Sequence, residues 1–300
     1  MNSEVNKVLF IVNKYAGTGY QPELEGKILD ACEKQENVAC TIEFTRSRGH
    51  ATTLAREAIG KGFVKVIAVG GDGTVNEVAQ GLIHSAVNMG IIPRGSGNGL
   101  ARHLGIPIKI NDALVSLFKS SAIDMDTMMI NNQLSLNVSG IGFDGHIANL
   151  FGTDSKRGLA GYVKLTVKEF ITFKELDATL TVDGKNLDRK AFIIAIANSS
   201  QYGNNARIAP TASVCDQLLN ITLLKKVPVY RADFVLDFFT GKLGNSRYCE
   251  VLEAKHVTIK LNVPVAYHID GEPSGIADTF DIKVIPASLK MLAPVIAGKH

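Results

Sequence analysis

A chain of 300 residues with 46% hydrophobic and 20% charged residues has apolar material for two ordinary domains, which excludes a disordered chain. Its formal net charge of +3 is too small for a broad basic field, so no nucleic-acid partner is expected. The longest apolar runs, residues 8–12 and 192–197, are too short to cross a bilayer, and only peripheral membrane contact is left.

From Lys7 to about Ser121, short β-branched runs alternate with helical periodicity, the signature of βαβ units around a parallel sheet. "KVLFIVN" reads as the first strand and "ELEGKILDACEKQ" as a helix. "ACTIEFT" follows as a second strand, and "GHATTLAREAIGKG" as a helix closed by Gly60 or Gly62. "KVIAVG" is a third strand, after which Val75, Val78, Ala79, Leu82 and Ile83 mark one helical face. "NMGIIPRGSGNGLARHL" repeats strand, glycine turn and helix, so two such turns fall at strand ends, where open α/β folds bind ligands.

Beyond "SAIDMDTMMINNQLSLNVSGIGFDG" the rhythm changes to strands bounded by turn residues. Asp183-Gly184 is a hairpin signal, and helical stretches interrupt near Gly158 to Phe173 and Arg231 to Leu243. This half is expected to be a mostly antiparallel β-sandwich. The predicted domains are an α/β nucleotide-binding domain over 1–122 and a sandwich substrate domain over 123–283, with about 284–300 returning to the first. No Pro-, Gly- or Ser-rich linker separates them, so close packing with a cleft is expected.

The four cysteines, Cys32, Cys40, Cys215 and Cys249, have no CxxC spacing, and the chain opens without a signal-peptide pattern. A reducing, cytoplasmic setting is therefore expected.

The stretch "GGDGT", Gly70 to Thr74, carries more glycine than a turn needs. Positive φ explains one glycine. The surplus fits a backbone that approaches a ligand closely, with N–H groups at a helix mouth aimed at phosphate. Asp72 would repel bare phosphate unless a divalent cation lies between them, so a nucleoside triphosphate with Mg²⁺ is inferred. The loop matches neither GxxxxGK[ST] nor GxGxxG. In "PRGSGNGLARHLGIP", Gly95, Gly97 and Gly99 alternate with Ser96 and Asn98, which could bond phosphate or ribose. Arg102, one turn further on, lies within reach of a terminal phosphate.

Together with "NKYAG" at Asn13 to Gly17, "IEFTRSRGHA" and "YHIDGEP" at Tyr267 to Pro273, these motifs resemble the diacylglycerol-kinase catalytic family, which includes bacterial lipid kinases and sphingosine and ceramide kinases. The resemblance spans nearly the whole chain. It implies a nucleotide-binding domain like that of phosphofructokinase and NAD kinase, a β-sandwich after it, ATP with Mg²⁺ as cofactors and a lipid substrate at a membrane surface. Asn13, Thr45, Gly70, Gly71, Asp72, Gly73, Thr74, Asn76, Glu77, Gly95, Ser96, Gly97, Asn98 and Arg102 would line the ATP site. Glu272 would take the lipid hydroxyl's proton, with Asp270 and Asp72 as further catalytic acids. Asp144 would face substrate, while Asp72, Asp124 and Asp216 would be the metal-side carboxylates.

Departures from the family pattern are visible. Lys14 replaces a proline and would add a cation for phosphate. Gly99 stands where bacterial members carry aspartate. Thr211, Cys215, Gln217 and Asn220 replace family residues of a structural-metal segment that keeps Asp216. The histidines lack zinc spacing, and Ser96 lacks a nucleophile's GxSxG frame. Phe234, Val235, Phe238 and Phe239 recur at helical spacing, as core or as a lipid-facing stripe beside Lys225, Lys226 and Arg231. An NAD kinase and a non-catalytic nucleotide or lipid sensor are the alternative readings. A homodimer is left open.

Overall fold

A computed structural model describes residues 5–17, 19, 21–152, 159–228, 231 and 234–295. The chain divides into two compact units, Met1–Asp126 with Pro286–His300, and Thr127–Ile285.

In the first unit β1 (Asn6–Val12), α1 (Glu23–Glu33), β2 (Val38–Phe44), α2 (His50–Gly60), β3 (Lys65–Gly70), α3 (Asp72–Leu82) and β4 (Asn88–Pro93) alternate as the sequence pattern predicts. Two helices follow, α4 (Gly99–His103) and α5 (Ile110–Lys119), and then β5 (Ser121–Ile130). β4, β3, β1 and β2 lie side by side and parallel, with Phe10 opposite Ile67 and Ile42. Residues 8–12 and 66–70 are buried throughout, as strands covered on both faces must be. The helices turn apolar stripes inward: Leu24 and Ile28 on α1, Val78 and Leu82 on α3, Leu114 and Leu117 on α5.

The second unit holds β6 (Gln133–Ser135), β7 (Val138–Gly142), α6 (Phe143–Gly152), α7 (Leu159–Thr172), β8 (Leu176–Val182), β9 (Lys185–Ala191), β10 (Ile193–Ala197), β11 (Gln201–Gly203), β12 (Ala206–Arg207) and β13 (Leu219–Leu224). α8 (Phe234–Thr240), β14 (Cys249–Ala254), β15 (His256–Ile269) and β16 (Glu272–Ala293) complete the chain. Strands β14, β13, β10, β7 and β15 pair antiparallel in that order, and β15 also pairs with β8 and β16. The unit is a mostly antiparallel β-sandwich. Ile141, Leu180, Ile194, Ile221, Ile259, Phe280 and Ile282 belong to its core. The hairpin at Asp183-Gly184 forms with φ of 44° and 84°, the left-handed pair that a tight two-residue turn requires. β5 and β16 each contribute to both units, and the end of β16 joins the first unit's sheet where Met291 pairs with Met89.

The cysteine reading needs a correction. Cys32, at the end of α1, and Cys40, in β2, form a disulfide with Cα atoms 6.4 Å apart. The short α1–β2 connection brings together two thiols whose spacing of eight residues resembles no motif. No helix among the described residues is long and apolar enough to cross a membrane.

The basic residues beside the expected stripe have partners in the second unit. Lys226 Nζ donates to the carbonyls of Ile171 and Phe173 at 3.0 and 2.6 Å, closing the C-terminal end of α7. Arg231 lies 6.0 Å from the Tyr248 ring. Leu236 and Phe239 on α8 are exposed, whereas the side chains of Phe234, Val235 and Phe238 fall outside the described ones. Gly158, with which the predicted α7 region opens, also lies outside the described residues.

Candidate active site

The two glycine turns meet in the first unit. None of the glycines in "GGDG" or "GSGNG" has positive φ, so backbone conformation explains none of them. Space is the reason instead. A Cβ on Gly70 would overlap the Thr74 side chain, and one on Gly95 would stand 2.6 Å from Gly71 Cα. The strand ends of β3 and β4 thus run backbone against backbone, held by Arg94 N donating to Gly70 O at 2.7 Å.

Asp72 locks this arrangement. Its two carboxylate oxygens accept the N–H groups of Asn98 and Gly99, each at 2.9 Å. Asn98 takes the left-handed φ of 50° that the glycines avoid, and its amide grips Gly95 twice: Oδ1 accepts Gly95 N–H at 2.8 Å and Nδ2 donates to Gly95 O at 2.7 Å. Asn98 therefore shapes the turn through its side chain. Ser96 is exposed at the tip. Arg102 Nε donates to Gly97 O at 3.1 Å, another bond within the turn.

β1 adds a third loop. Asn13 Nδ2 donates to Thr74 Oγ1 at 3.0 Å, and Thr45 N–H donates to Val12 O at 3.0 Å. Asn13, Thr45, the turn from Gly70 to Thr74 and the turn from Gly95 to Gly99 are thereby tied to the ends of β1, β3 and β4. Two residues expected on the nucleotide have other work. Glu77 accepts Gly49 N–H at 2.8 Å and Ala51 N–H at 3.3 Å, supplying the cap that α2, with glycine at its N-cap, lacks. Asn76 Oδ1 accepts from Gln80 along α3. Lys14 is also recast, since its ammonium lies 3.9 Å from the Phe44 ring centroid.

Two of the carboxylates expected at the metal have partners of their own. Asp124 pairs with Lys290 at 3.0 Å, and Asp216 accepts Leu218 N–H at 3.0 Å in a local turn. Among the described residues no three His, Cys, Asp or Glu side chains gather to hold a metal. What remains is the single carboxylate of Asp72 beside amide-rich turns. That fits magnesium carried mainly by phosphate oxygens and water, which needs only one or two protein carboxylates.

In the second unit the two acids of "DGE" separate sharply. Asp270, φ 49°, and Gly271, φ 88°, form the turn between β15 and β16. Asp270 is 8% exposed and accepts from Ser135 Oγ at 2.6 Å, Leu136 N–H at 3.0 Å and Asn137 N–H at 2.9 Å. These bonds make Asp270 an anchor of the turn. Glu272 is exposed, and its carboxylate has no hydrogen-bond or ion-pair partner among the described residues.

Asp144, in the first turn of α6, accepts from Tyr202 Oη at 2.8 Å and lies 3.4 Å from His268 Nε2. His268 Nδ1 accepts Gly271 N–H at 3.1 Å, which places the imidazole proton on Nε2, facing Asp144. A Cβ on Gly140 would overlap the Asp144 carboxylate, so that glycine lets the pair meet. His268 and Tyr202 were not foreseen: His268 stands within "YHIDGEP" but was given no role, Tyr202 belongs to no motif, and the pairing of His268 with Gly140 across β15 and β7 creates the cluster.

A parallel α/β unit with two interlocked glycine turns, followed by an antiparallel sandwich, is the architecture of the diacylglycerol-kinase class. Residues 7–130 match the diacylglycerol kinase catalytic domain, and residues 138–293 match the YegS C-terminal NAD kinase beta sandwich-like domain. The chain belongs to the family built from this pair of domains. It is 26% identical over 271 residues to "Probable lipid kinase YegS" of Escherichia fergusonii, covering 87% of this chain and 88% of that one. It is 27% identical over 260 residues to "Probable lipid kinase YegS-like" of Chromohalobacter salexigens, covering 84% and 83%. A candidate diacylglycerol kinase from Bacillus anthracis has a similar structure, with a TM-score of 0.79 at 26% identity, covering 97% of this chain and 98% of that one.

Proposed function

We propose that the protein is an ATP-dependent lipid kinase that transfers the γ-phosphoryl group to a lipid hydroxyl. The observation that carries this reading is the Asp72 carboxylate binding Asn98 and Gly99, which joins two glycine turns into one surface of closely packed backbone. Such a surface admits phosphate where side chains would block it. Membership of a family whose named relatives are probable lipid kinases supplies the acceptor class.

Phosphoryl transfer asks for positioning, charge neutralisation and one proton acceptor. Glu272 is the acceptor: as the lipid oxygen bonds to the γ-phosphorus and the bond to ADP breaks, its carboxylate takes the hydroxyl proton. An exposed carboxylate without competing donors is suited to this, whereas Asp270 is already saturated by hydrogen bonds. The Asp144–His268 pair steadies the turn that presents Glu272, because His268 holds Gly271 N–H. Magnesium, when bound, would neutralise charge developing on the phosphate oxygens, with Asp72 as its protein carboxylate.

Incubating the purified protein with radiolabelled ATP and mixed micelles of diacylglycerol, sphingoid base or phosphatidylglycerol tests the reading. A labelled lipid that disappears with Glu272→Gln, while ATP affinity persists, is the expected result. Labelling of NAD instead identifies a small-molecule kinase, and tight ATP binding with no labelled product identifies a sensor.

A further inference from the structure

Arg94 follows the last residue of β4 and precedes Gly95, yet it is only 8% exposed. Its Nη2 donates to Gly19 O at 2.5 Å, reaching into the loop after β1. Its own carbonyl packs against Gly17, at φ 64°, so closely that a Cβ there would overlap it. Nη1 is buried and has no hydrogen-bond partner. None of the ion pairs among the described residues includes Arg94.

A guanidinium stays protonated at every pH a protein survives, so it cannot escape burial by neutralising itself. A buried cation with an unused donor and no counter-charge is costly unless something completes it. An anion with oxygen acceptors supplies both missing components. The two segments meeting at Arg94 are the β1 loop and the second glycine turn, which lie at the proposed nucleotide surface. Two other cations of these loops are engaged, Lys14 over Phe44 and Arg102 on Gly97 O.

We infer that Arg94 is a polyphosphate-binding residue: Nη1 donates to a phosphate oxygen of the nucleotide while Nη2 holds the β1 loop through Gly19. The inference rests on the kinase reading and adds to it a direct cationic contact at the residue just before the second glycine turn. Arginine suits this double duty because its planar fork presents two donors at once.

The test uses the full chain and calorimetric titration of ATP, inorganic tripolyphosphate and adenosine, with ligand-free thermal melts alongside. Arg94→Met is expected to weaken ATP and tripolyphosphate about ten- to a hundredfold, the span of a hydrogen bond to a charged group. Adenosine affinity is expected to stay within about twofold, and the ligand-free melting temperature to hold or rise once the uncompensated charge is gone. Should Arg94→Met fail to fold, Arg94→Gln keeps a donor for Gly19 without the charge, and the same selective loss is expected. Unchanged tripolyphosphate affinity in the folded variant overturns the inference and leaves the kinase reading standing. Equal loss of all three ligands with a lowered melting temperature also overturns it, in favour of a purely structural latch. Selective loss in a protein that phosphorylates no lipid upholds Arg94 and removes the lipid-kinase reading. Wild-type protein that binds neither ATP nor tripolyphosphate overturns both.

Discussion

Asp72 in the first unit and Asp270 in the second present the same chemistry in opposite backbones. Each carboxylate accepts main-chain N–H groups from another segment, Asn98 and Gly99 in one case, Leu136 and Asn137 in the other. Around Asp72 the glycines have ordinary φ and are needed for space, while around Asp270 the turn is left-handed at two successive residues. An acid in a glycine-rich motif is therefore not by itself a catalytic acid. Glu272 differs from both: it is exposed, and its carboxylate has no hydrogen-bond or ion-pair partner among the described residues.

The largest effect that would break this comparison is on turnover. Glu272→Gln removes the proposed base, and a loss of about 10²- to 10⁴-fold in kcat is expected with ATP affinity and melting temperature unchanged. Asp270→Asn is expected to act by another route. Its amide would turn N–H groups toward the N–H of Leu136 or Asn137, costing about 3 kcal/mol of stability, read by denaturant titration. If Asp270→Asn proves as stable as wild type but inactive, the anchor assignment is wrong.

Asp72→Asn sharpens the same point on the first unit. One of the two amides at Asn98 and Gly99 would face a donor, so the second glycine turn should loosen. ATP binding is expected to weaken about tenfold or more, with a stability loss of about 1–2 kcal/mol. Stability unchanged, with ATP binding lost only when magnesium is present, would remove the lock role and leave Asp72 as a metal ligand alone.

How far this was legible in the sequence depended on range. β1 and β3 were visible because strands buried on both faces are unbroken apolar runs, and the Asp183-Gly184 hairpin because its turn chemistry is local. α6 passed unseen: it opens "FDG", which reads as a turn, and among its described side chains Phe143 and Ile147 mark its inner face. The motif residues were locatable, but what each side chain does was not. Glu77 turns to α2 because its partners, Gly49 and Ala51, arrive from a segment that spacing does not reveal, while Asn98 turns back on Gly95 within its own loop. Arg94 escaped notice because arginine is ordinarily exposed; its one signal was its place between a fully buried strand and a glycine turn.

Smaller effects come from groups outside the proposed chemistry. Glu77→Gln should cost about 1 kcal/mol through the weakened α2 cap, with ATP affinity unchanged. An ATP defect without a stability loss would return Glu77 to the nucleotide.

The two unbridged cysteines give the smallest expected effect, confined to alkaline pH. Burial pushes the Cys249 thiol up to about 11, with the neighbouring Glu250 charge adding to the rise, while Cys215 is exposed. A thiol whose folded value lies above its unfolded one favours the folded state while protonated. That contribution is whole below the unfolded value and is lost as pH climbs toward about 11. Iodoacetamide at pH 8 should accordingly modify Cys215 well before Cys249, because only the thiolate attacks. Mass-mapped labelling that marks Cys249 first would mean that the end of β14 opens readily, and that the second unit's edge is looser than its paired register with β13 implies.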